Sequence, residues 1–258
     1  MRSCAKWIVA ASLSLIGLAL YAQRLDVYYF PRPPLYTANA DGSAGGFLNE
    51  IAKLVLDEAK IPYRLVEIPS ARVELAVKNR EYAAGLGWFK NPEREQWANF
   101  SAPIYQDRPL VAVVNKAKAG PFGAEARIDQ LLGTGLTLGT IRGFSYGSFA
   151  DGAIERLHPS IESIVGPQSS LIQMVARGRA DLLLLGMEEA GYLMEHDPNM
   201  AASLKIVRIS DAPAGSLRYF MFSKSVDSSV IERIDAAIEK IKGGAAYRKL
   251  IDFSGYLD

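Results

Sequence analysis

Two stretches of this chain carry the same helix–turn–strand unit at the same length, and that repeat narrows the possible folds more than any other feature. Ser70 to Gly87 and Ser169 to Gly186 span equal distances along the sequence. In the later stretch Leu171, Met174 and Val175 mark one helix face. Gly178 ends that helix, and Asp181 opens a buried strand that runs through Leu185. In the earlier one a helix from Ser70 to about Lys78 leads through Lys78-Asn79-Arg80 into a strand of small and apolar residues, Ala83 to Gly87. Each unit needs a sheet to bury its apolar face. Two well-separated copies favour two related α/β lobes over one barrel.

The rest of the chain reads consistently with that. Alternating Leu25, Val27 and Tyr29 predict a half-buried first strand, which Pro31, Pro33 and Pro34 stop. Asp41-Gly42 marks a turn. A helix from Phe47 to Ala59 and a strand from Tyr63 to Ile68 follow. Leu110 to Val114 is a strongly apolar strand, and the polar run Asn115 to Ala126 after it looks like a crossing into the second lobe. That lobe opens with a strand, Leu136 to Ile141, a glycine turn and a helix to about Leu157. Leu204 to Ile209 is a further strand, and Leu217 to Lys224 is the return crossing. Val226 to Lys242 is an amphipathic helix broken by Gly243-Gly244, and a short last helix spans Tyr247 to Phe253. The expected organisation is therefore 1–22 as a targeting segment, 23–111 as the first part of lobe 1, 112–216 as lobe 2, and 217–258 as the return to lobe 1.

Composition bounds the function. The chain has 258 residues, enough for a sizeable core, and 49% of them are apolar. A net charge of +1 gives no basic excess for nucleic acid. Arg2 and Lys6 precede an uncharged, mostly apolar run from Trp7 to Leu20. That run is short of the ~20 residues a bilayer span needs and fits a secretory signal cleaved after Ala22. The single cysteine, Cys4, precedes the apolar run instead of standing at the cleavage site, so a lipoprotein is not expected and the exported chain has no thiol. Few histidines and no remaining cysteine leave no metal constellation, and no cofactor motif is present.

Gly85 to Tyr105, GLGWFKNPEREQWANFSAPIY, is the most specific stretch. Two glycines flank Leu86 at a strand end, and Arg94 follows Pro92 in a short helical turn. An arginine projecting toward a strand's carboxyl end can hold a carboxylate in a bidentate fork. Pro92-Glu93-Arg94 and Phe100-Ser101-Ala102-Pro103-Ile104-Tyr105 resemble the signature of the bacterial family 3 periplasmic solute-binding proteins, the clamshell receptors of polar amino-acid importers, with Asn91 in the place of a threonine and one insertion. The opening strand, proline loop, Asp-Gly turn and helix also match that family's start, so the resemblance covers roughly Leu25 to Phe253. It implies a two-lobed periplasmic binding protein fold (type II), with mixed sheets flanked by helices and a two-strand hinge. It implies a monomeric receptor that traps a small carboxylate-bearing ligand, an amino acid or derivative, for an ABC permease, or presents it to a membrane sensor, in the periplasm.

By the same resemblance the ligand groups fall at the strand ends. On lobe 1 these are Arg94, Tyr29, Gly87 with the aromatic pair Trp88 and Phe89, and Arg72 in the first turn of its helix; Arg32 and Tyr36 are further candidates. On lobe 2, Arg142-Gly143-Phe144-Ser145 forms a strand–glycine turn–helix anion site, in which Ser145 completes a carboxylate clamp beside Arg142 and Phe144. The family places an aspartate for the ligand's ammonium where this chain has Gly186, so Glu188 or Glu189 must supply that charge or the ligand is not a free amino acid. Gly143-Phe144-Ser145-Tyr146-Gly147 also has the nucleophile-elbow pattern of an α/β-hydrolase, with Asp181 and His196 following in order. Against that reading, no oxyanion segment precedes it, and His158 and His196 both look like helix-end residues.

Overall fold

The computed structural model describes residues 23–79 and 82–253; the expected signal segment, 1–22, lies outside them. Lobe 1 begins with β1 (Leu25–Tyr29), a small hairpin of β2 (Thr37–Ala38) and β3 (Ala44–Gly45), and α1 (Phe47–Glu58). It continues through β4 (Tyr63–Glu67), α2 (Ser70–Asn79), β5 (Ala83–Trp88), α3 (Pro92–Trp97), β6 (Ala98–Phe100) and β7 (Tyr105–Gln106). The second sheet starts with β8 (Leu110–Asn115). It proceeds through β9 (Glu125–Ala126), α4 (Ile128–Leu132), β10 (Leu138–Ile141), α5 (Ser148–Leu157), β11 (Ile161–Ile164), α6 (Gln168–Ala176), β12 (Leu182–Gly186), α7 (Met187–His196), α8 (Pro198–Ser203) and β13 (Leu204–Ile209). The chain then returns as β14 (Leu217–Ser223), followed by α9 (Ser228–Lys242) and α10 (Ala245–Leu250).

The two sheets share a plan. In lobe 1 the order is β4-β1-β5-β14-β6, with β7 also paired to β14. β1 runs parallel to β4 and β5, and β14 runs antiparallel to β5. In lobe 2 the order is β11-β10-β12-β8-β13-β9, with β10 parallel to β11 and β12, and β8 antiparallel to β12. Each sheet thus has three parallel strands followed by an antiparallel strand that has just crossed from the other lobe, with further strands paired beyond it. The repeated unit of the sequence is α2–β5 in one lobe and α6–β12 in the other. Val73 and Val77 of α2, and Leu171 and Val175 of α6, point inward and are buried.

Each sheet buries apolar side chains on both faces. In lobe 1, α1, α9 and α10 cover one face through Ile51, Val55, Ile234 and Ile238, and α2 covers the other beneath Tyr28 and Met221. In lobe 2, α4 and α5 pack on one face, and α6 and α7 on the other. Both-face burial explains why β8 and β12 read as continuous apolar runs, LVAVVN and LLLLG, instead of alternating. The edge strand β11 was not expected from the sequence because its side chains are mostly exposed and give no hydrophobic signal.

Two chain crossings, 107–109 and 210–216, lie against one another. The Asp107 N–H donates to the Ser216 carbonyl at 3.0 Å, and the Ile104 N–H to the Arg218 carbonyl at 2.8 Å. A side chain at Gly215 would put its Cβ 2.2 Å from the Asp107 carbonyl oxygen, so only glycine lets the crossings approach this closely.

Candidate functional site

The carboxyl ends of β5, β10 and β12 and both crossings border a cleft of about 380 Å³ between the lobes, a volume suited to a small molecule. Six charged side chains line it: Arg32, Asp107, Arg108, Glu188, Glu189 and Arg218.

Arg32 stands at the tip of the proline loop after β1. Arg32 and Tyr36 exchange both backbone hydrogen bonds, at 3.0 and 2.9 Å, which closes the loop and aims the arginine across the cleft. There its Nε and Nη2 donate to the two oxygens of Glu189, at 2.7 and 2.8 Å. Gln168, at the start of α6, donates to the same carboxylate at 2.8 Å. Burial alone would push the Glu189 carboxyl up, but the Arg32 guanidinium and these hydrogen bonds outweigh it and hold the carboxyl below the usual glutamate range.

At the base of the cleft Arg218, from the start of β14, donates through Nε and Nη2 to both oxygens of Asp107. Its Nη1 donates to the Gly87 carbonyl at 2.9 Å, and its guanidinium lies 4.7 Å from the centre of the Phe89 ring. Gly87 has a φ of +71°, and a Cβ there would sit 2.0 Å from the Tyr36 hydroxyl, which itself donates to the Leu86 carbonyl. Burial pushes that phenol up to about 12, so it stays neutral.

Glu188 is held differently. The Tyr105 hydroxyl and the Arg108 N–H both donate to its Oε1, and no cation pairs with it among the described residues. Burial raises its carboxyl above the ordinary glutamate value, and the hydrogen bonds only partly offset this. Its Oε2 lies 3.4 Å, and that of Glu189 3.2 Å, from the position a Cβ on Gly186 would take. The bare glycine therefore lets two carboxylate oxygens reach the cleft beside the end of β12, where a Cβ would crowd them. Arg108 lines the same cleft with its guanidinium 5.6 Å from the Phe253 ring centre, and no carboxylate reaches it among the described residues.

The turn 143–147 forms the opposite wall. Gly143 and Gly147 both have positive φ, at +78° and +88°. Gly147 caps α5 without a side-chain bond, so the first N–H groups of the helix face the cleft uncapped. The Ser145 hydroxyl donates to Asp151 at 2.5 Å, and the Tyr146 N–H to the same carboxylate at 2.9 Å.

Of the residues singled out in the sequence, Phe89, Phe144, Ser145 and Glu188 line the cleft, as do Arg32 and Glu189. Arg94 does not. Its guanidinium donates to Glu74 at 2.9 and 2.7 Å and to the Phe89 carbonyl at 3.0 Å, and it stacks 4.6 Å over Trp88 on the outer side of lobe 1. Trp88 is thereby a platform for Arg94 and not a wall of the cleft. Tyr29 is buried in the lobe 1 core against Tyr36. Arg72 and Arg142 are exposed and outside the cleft lining. Gly87 serves through its carbonyl, by holding Arg218. The Ser–Asp–His arrangement of the esterase reading is not assembled: the Ser145 hydroxyl donates to Asp151, His158 caps the end of α5, and His196 stacks on Tyr192 at the end of α7. Sequence reasoning missed Asp107, Arg108, Arg218, Tyr105 and Gln168. One signal was available, since Arg218 is a charge inside an otherwise apolar strand.

The family model of the bacterial extracellular solute-binding proteins, family 3, matches residues 27–253. No curated protein matches the chain in sequence. Among solved structures, an ancestral arginine-binding protein bound to arginine superposes with a TM-score of 0.70 at 18% identity, over 89% of this chain and 96% of that one. The ancestral amino acid-binding protein AncCDT-1, a precursor of cyclohexadienyl dehydratase, gives 0.69 at 17% identity over 92% and 96%. The arginine-, lysine-, histidine-binding protein ArtJ from Geobacillus stearothermophilus gives 0.68 at 18% over 88% and 93%. At these identities the likeness is one of fold. With a family match that runs from β1 past α10, and with a charged cleft between two lobes joined by paired crossings, the chain belongs to the family 3 bacterial extracellular solute-binding proteins.

Proposed function

We propose that this protein is a periplasmic receptor for a zwitterionic small molecule, an amino acid or close derivative, which it encloses between its lobes and delivers to an ABC permease. The observation that carries the reading is the pairing of charges in the cleft. Arg32 is engaged by Glu189 and Arg218 by Asp107, which among the described residues that line the cleft leaves one cation, Arg108, and one carboxylate, Glu188. The uncapped start of α5 adds N–H donors for an anion on the lobe 2 wall. A ligand with one carboxylate and one ammonium complements what remains; the amino acids named for the structural neighbours carry that pair of groups together with a basic side chain.

The ammonium goes to the cleft beside Gly186, against Glu188, and the carboxylate to Arg108 and the α5 turn. Glu188 and the α5 turn belong to lobe 2 and Arg108 to the crossing between the lobes, so the ligand seats on lobe 2 and favours the closed state by giving Arg32 and Phe89 of lobe 1 a surface to close on. A charge-assisted hydrogen bond in such a site contributes about 1.5–3 kcal/mol.

A thermal-shift screen of neutral L-amino acids tests the proposal. A ligand at a thousand times its Kd stabilises by about 4 kcal/mol, a shift of several degrees. The Arg108→Ala protein, titrated calorimetrically with the best hit, is expected to bind at least tenfold more weakly. An unchanged Kd in that variant contradicts the assignment of Arg108.

A further inference from the structure

We infer that Arg32 is a built-in substitute for a ligand's second cation, and that it restricts the receptor to amino acids with uncharged, apolar side chains. The inference rests on the zwitterion reading above and extends it to specificity.

The argument starts from Glu189. This carboxylate is almost fully buried and reaches the cleft beside Gly186, as Glu188 does. A buried carboxylate needs a cation and hydrogen bonds. Glu189 takes both from the protein itself, in the fork of Arg32 and the amide of Gln168. The fork geometry is the one a ligand guanidinium would adopt against a carboxylate. The proline loop with its paired Arg32–Tyr36 backbone holds that guanidinium in place, so little ordering is needed to form the contact.

The consequence follows from the remaining wall. Asp107 is engaged by Arg218, and among the described residues that line the cleft Glu188 is the carboxylate left for the ligand's ammonium. A ligand with a cationic side chain would then bury a second positive charge with no free carboxylate to meet it, close to the Arg32 and Arg218 guanidinium groups. Phe89, Leu110, Phe144, Leu171 and Leu184 add apolar surface to the lining, beside serines on the α5 turn and the second crossing. That apolar surface suits an aliphatic or aromatic side chain.

The test is the ratio of affinities for L-norleucine and L-arginine, measured by calorimetry on the wild type, on Arg32→Ala and on the double variant Arg32→Ala/Glu189→Gln, each checked for folding by thermal melting. The wild type is expected to bind norleucine at least tenfold more tightly than arginine. Freeing Glu189 in Arg32→Ala is expected to move the ratio at least tenfold toward arginine, and removing its charge in the double variant to cancel that gain. Arg32→Gln replaces Arg32→Ala if the truncated protein does not fold. A ratio that stays constant across the variants while norleucine still binds overturns this inference and leaves the zwitterion reading standing. A gain that persists in the double variant overturns it too, because the new cation site is then not Glu189. Absence of binding by the wild type to norleucine and to every other neutral amino acid overturns both readings together.

Discussion

Two bidentate arginine–carboxylate pairs line the cleft, and they differ in what they join. Arg218 and Asp107 both lie at the hinge, on β14 and on the crossing beside it. Their side chains are only 7% and 17% exposed, and the pair has no reason to break when the lobes part. Arg32 and Glu189 belong to opposite lobes, with exposures of 22% and 4%, and opening must separate them. One pair fixes the axis of the motion. The other joins the two lobes across the cleft, so in the proposed receptor it favours closure and competes for whatever the cleft receives. The same chemistry is structural in one place and selective in the other because of connectivity alone.

The largest effect is expected at the hinge. Asp107→Ala leaves the buried Arg218 charge uncompensated and should cost about 3–5 kcal/mol of unfolding free energy in a denaturant titration. The double replacement Asp107→Leu/Arg218→Met should recover most of that loss. A loss below 1 kcal/mol would make the hinge pair no more than a surface ion pair.

The next effect separates binding from stability. Glu188→Gln keeps an oxygen for Tyr105 and Arg108 but removes the charge, and is expected to weaken a zwitterionic ligand at least tenfold, about 1.4 kcal/mol or more. Stability should move the other way. Burial raises this carboxyl, so the folded protein holds the proton more tightly than the unfolded chain does. Its favourable contribution is complete below the ordinary glutamate value of 4.5 and is lost as pH rises through the raised value. Paired pH–stability curves should show that decline in the wild type and its absence in Glu188→Gln. Ligand affinity should fall in acid over the same window, since an ammonium must meet the ionised form.

Glu189 has the opposite sign. Its carboxyl is held below 4.5 by Arg32 against the effect of burial, so its contribution is present above 4.5 and lost as pH falls through the lowered value. In Arg32→Ala that acid-side loss should shrink, and small-angle scattering of the ligand-free variant should show a larger radius of gyration than the wild type. Equal radii would mean that the pair does not favour closure.

The smallest effect is expected at Arg94. Its pair with Glu74 is partly exposed and lies outside the cleft. Arg94→Ala should cost no more than about 1 kcal/mol of stability and change ligand affinity by less than about threefold. A tenfold loss of affinity would return Arg94 to the ligand.

What the sequence made legible was periodic or local. The equal spacing of α2–β5 and α6–β12 announced two lobes, and the Pro92 to Tyr105 signature announced the family, because both depend on neighbours along the chain. The Gly143–Gly147 turn and the missing aspartate at Gly186 were readable for the same reason. The fate of Arg94 was not. Whether an arginine reaches a ligand depends on which carboxylate stands nearer, and Glu74 lies on a different helix. The pairing of Asp107 with Arg218 spans 111 residues, and that of Arg32 with Glu189 spans 157. Only the assembled fold reveals which charges are left over.

The leftover pair, Arg108 and Glu188, is the central claim, and calorimetry with a ligand stripped of one group at a time tests it most directly. Norleucine, hexanoate and pentylamine share an aliphatic chain and differ in carrying both charges, the carboxylate alone, or the ammonium alone. Norleucine is expected to bind at least tenfold more tightly than either of the others, and to lose that advantage over hexanoate in Glu188→Gln. Hexanoate binding as tightly as norleucine to the wild type would contradict the account, because Glu188 would then meet no ammonium.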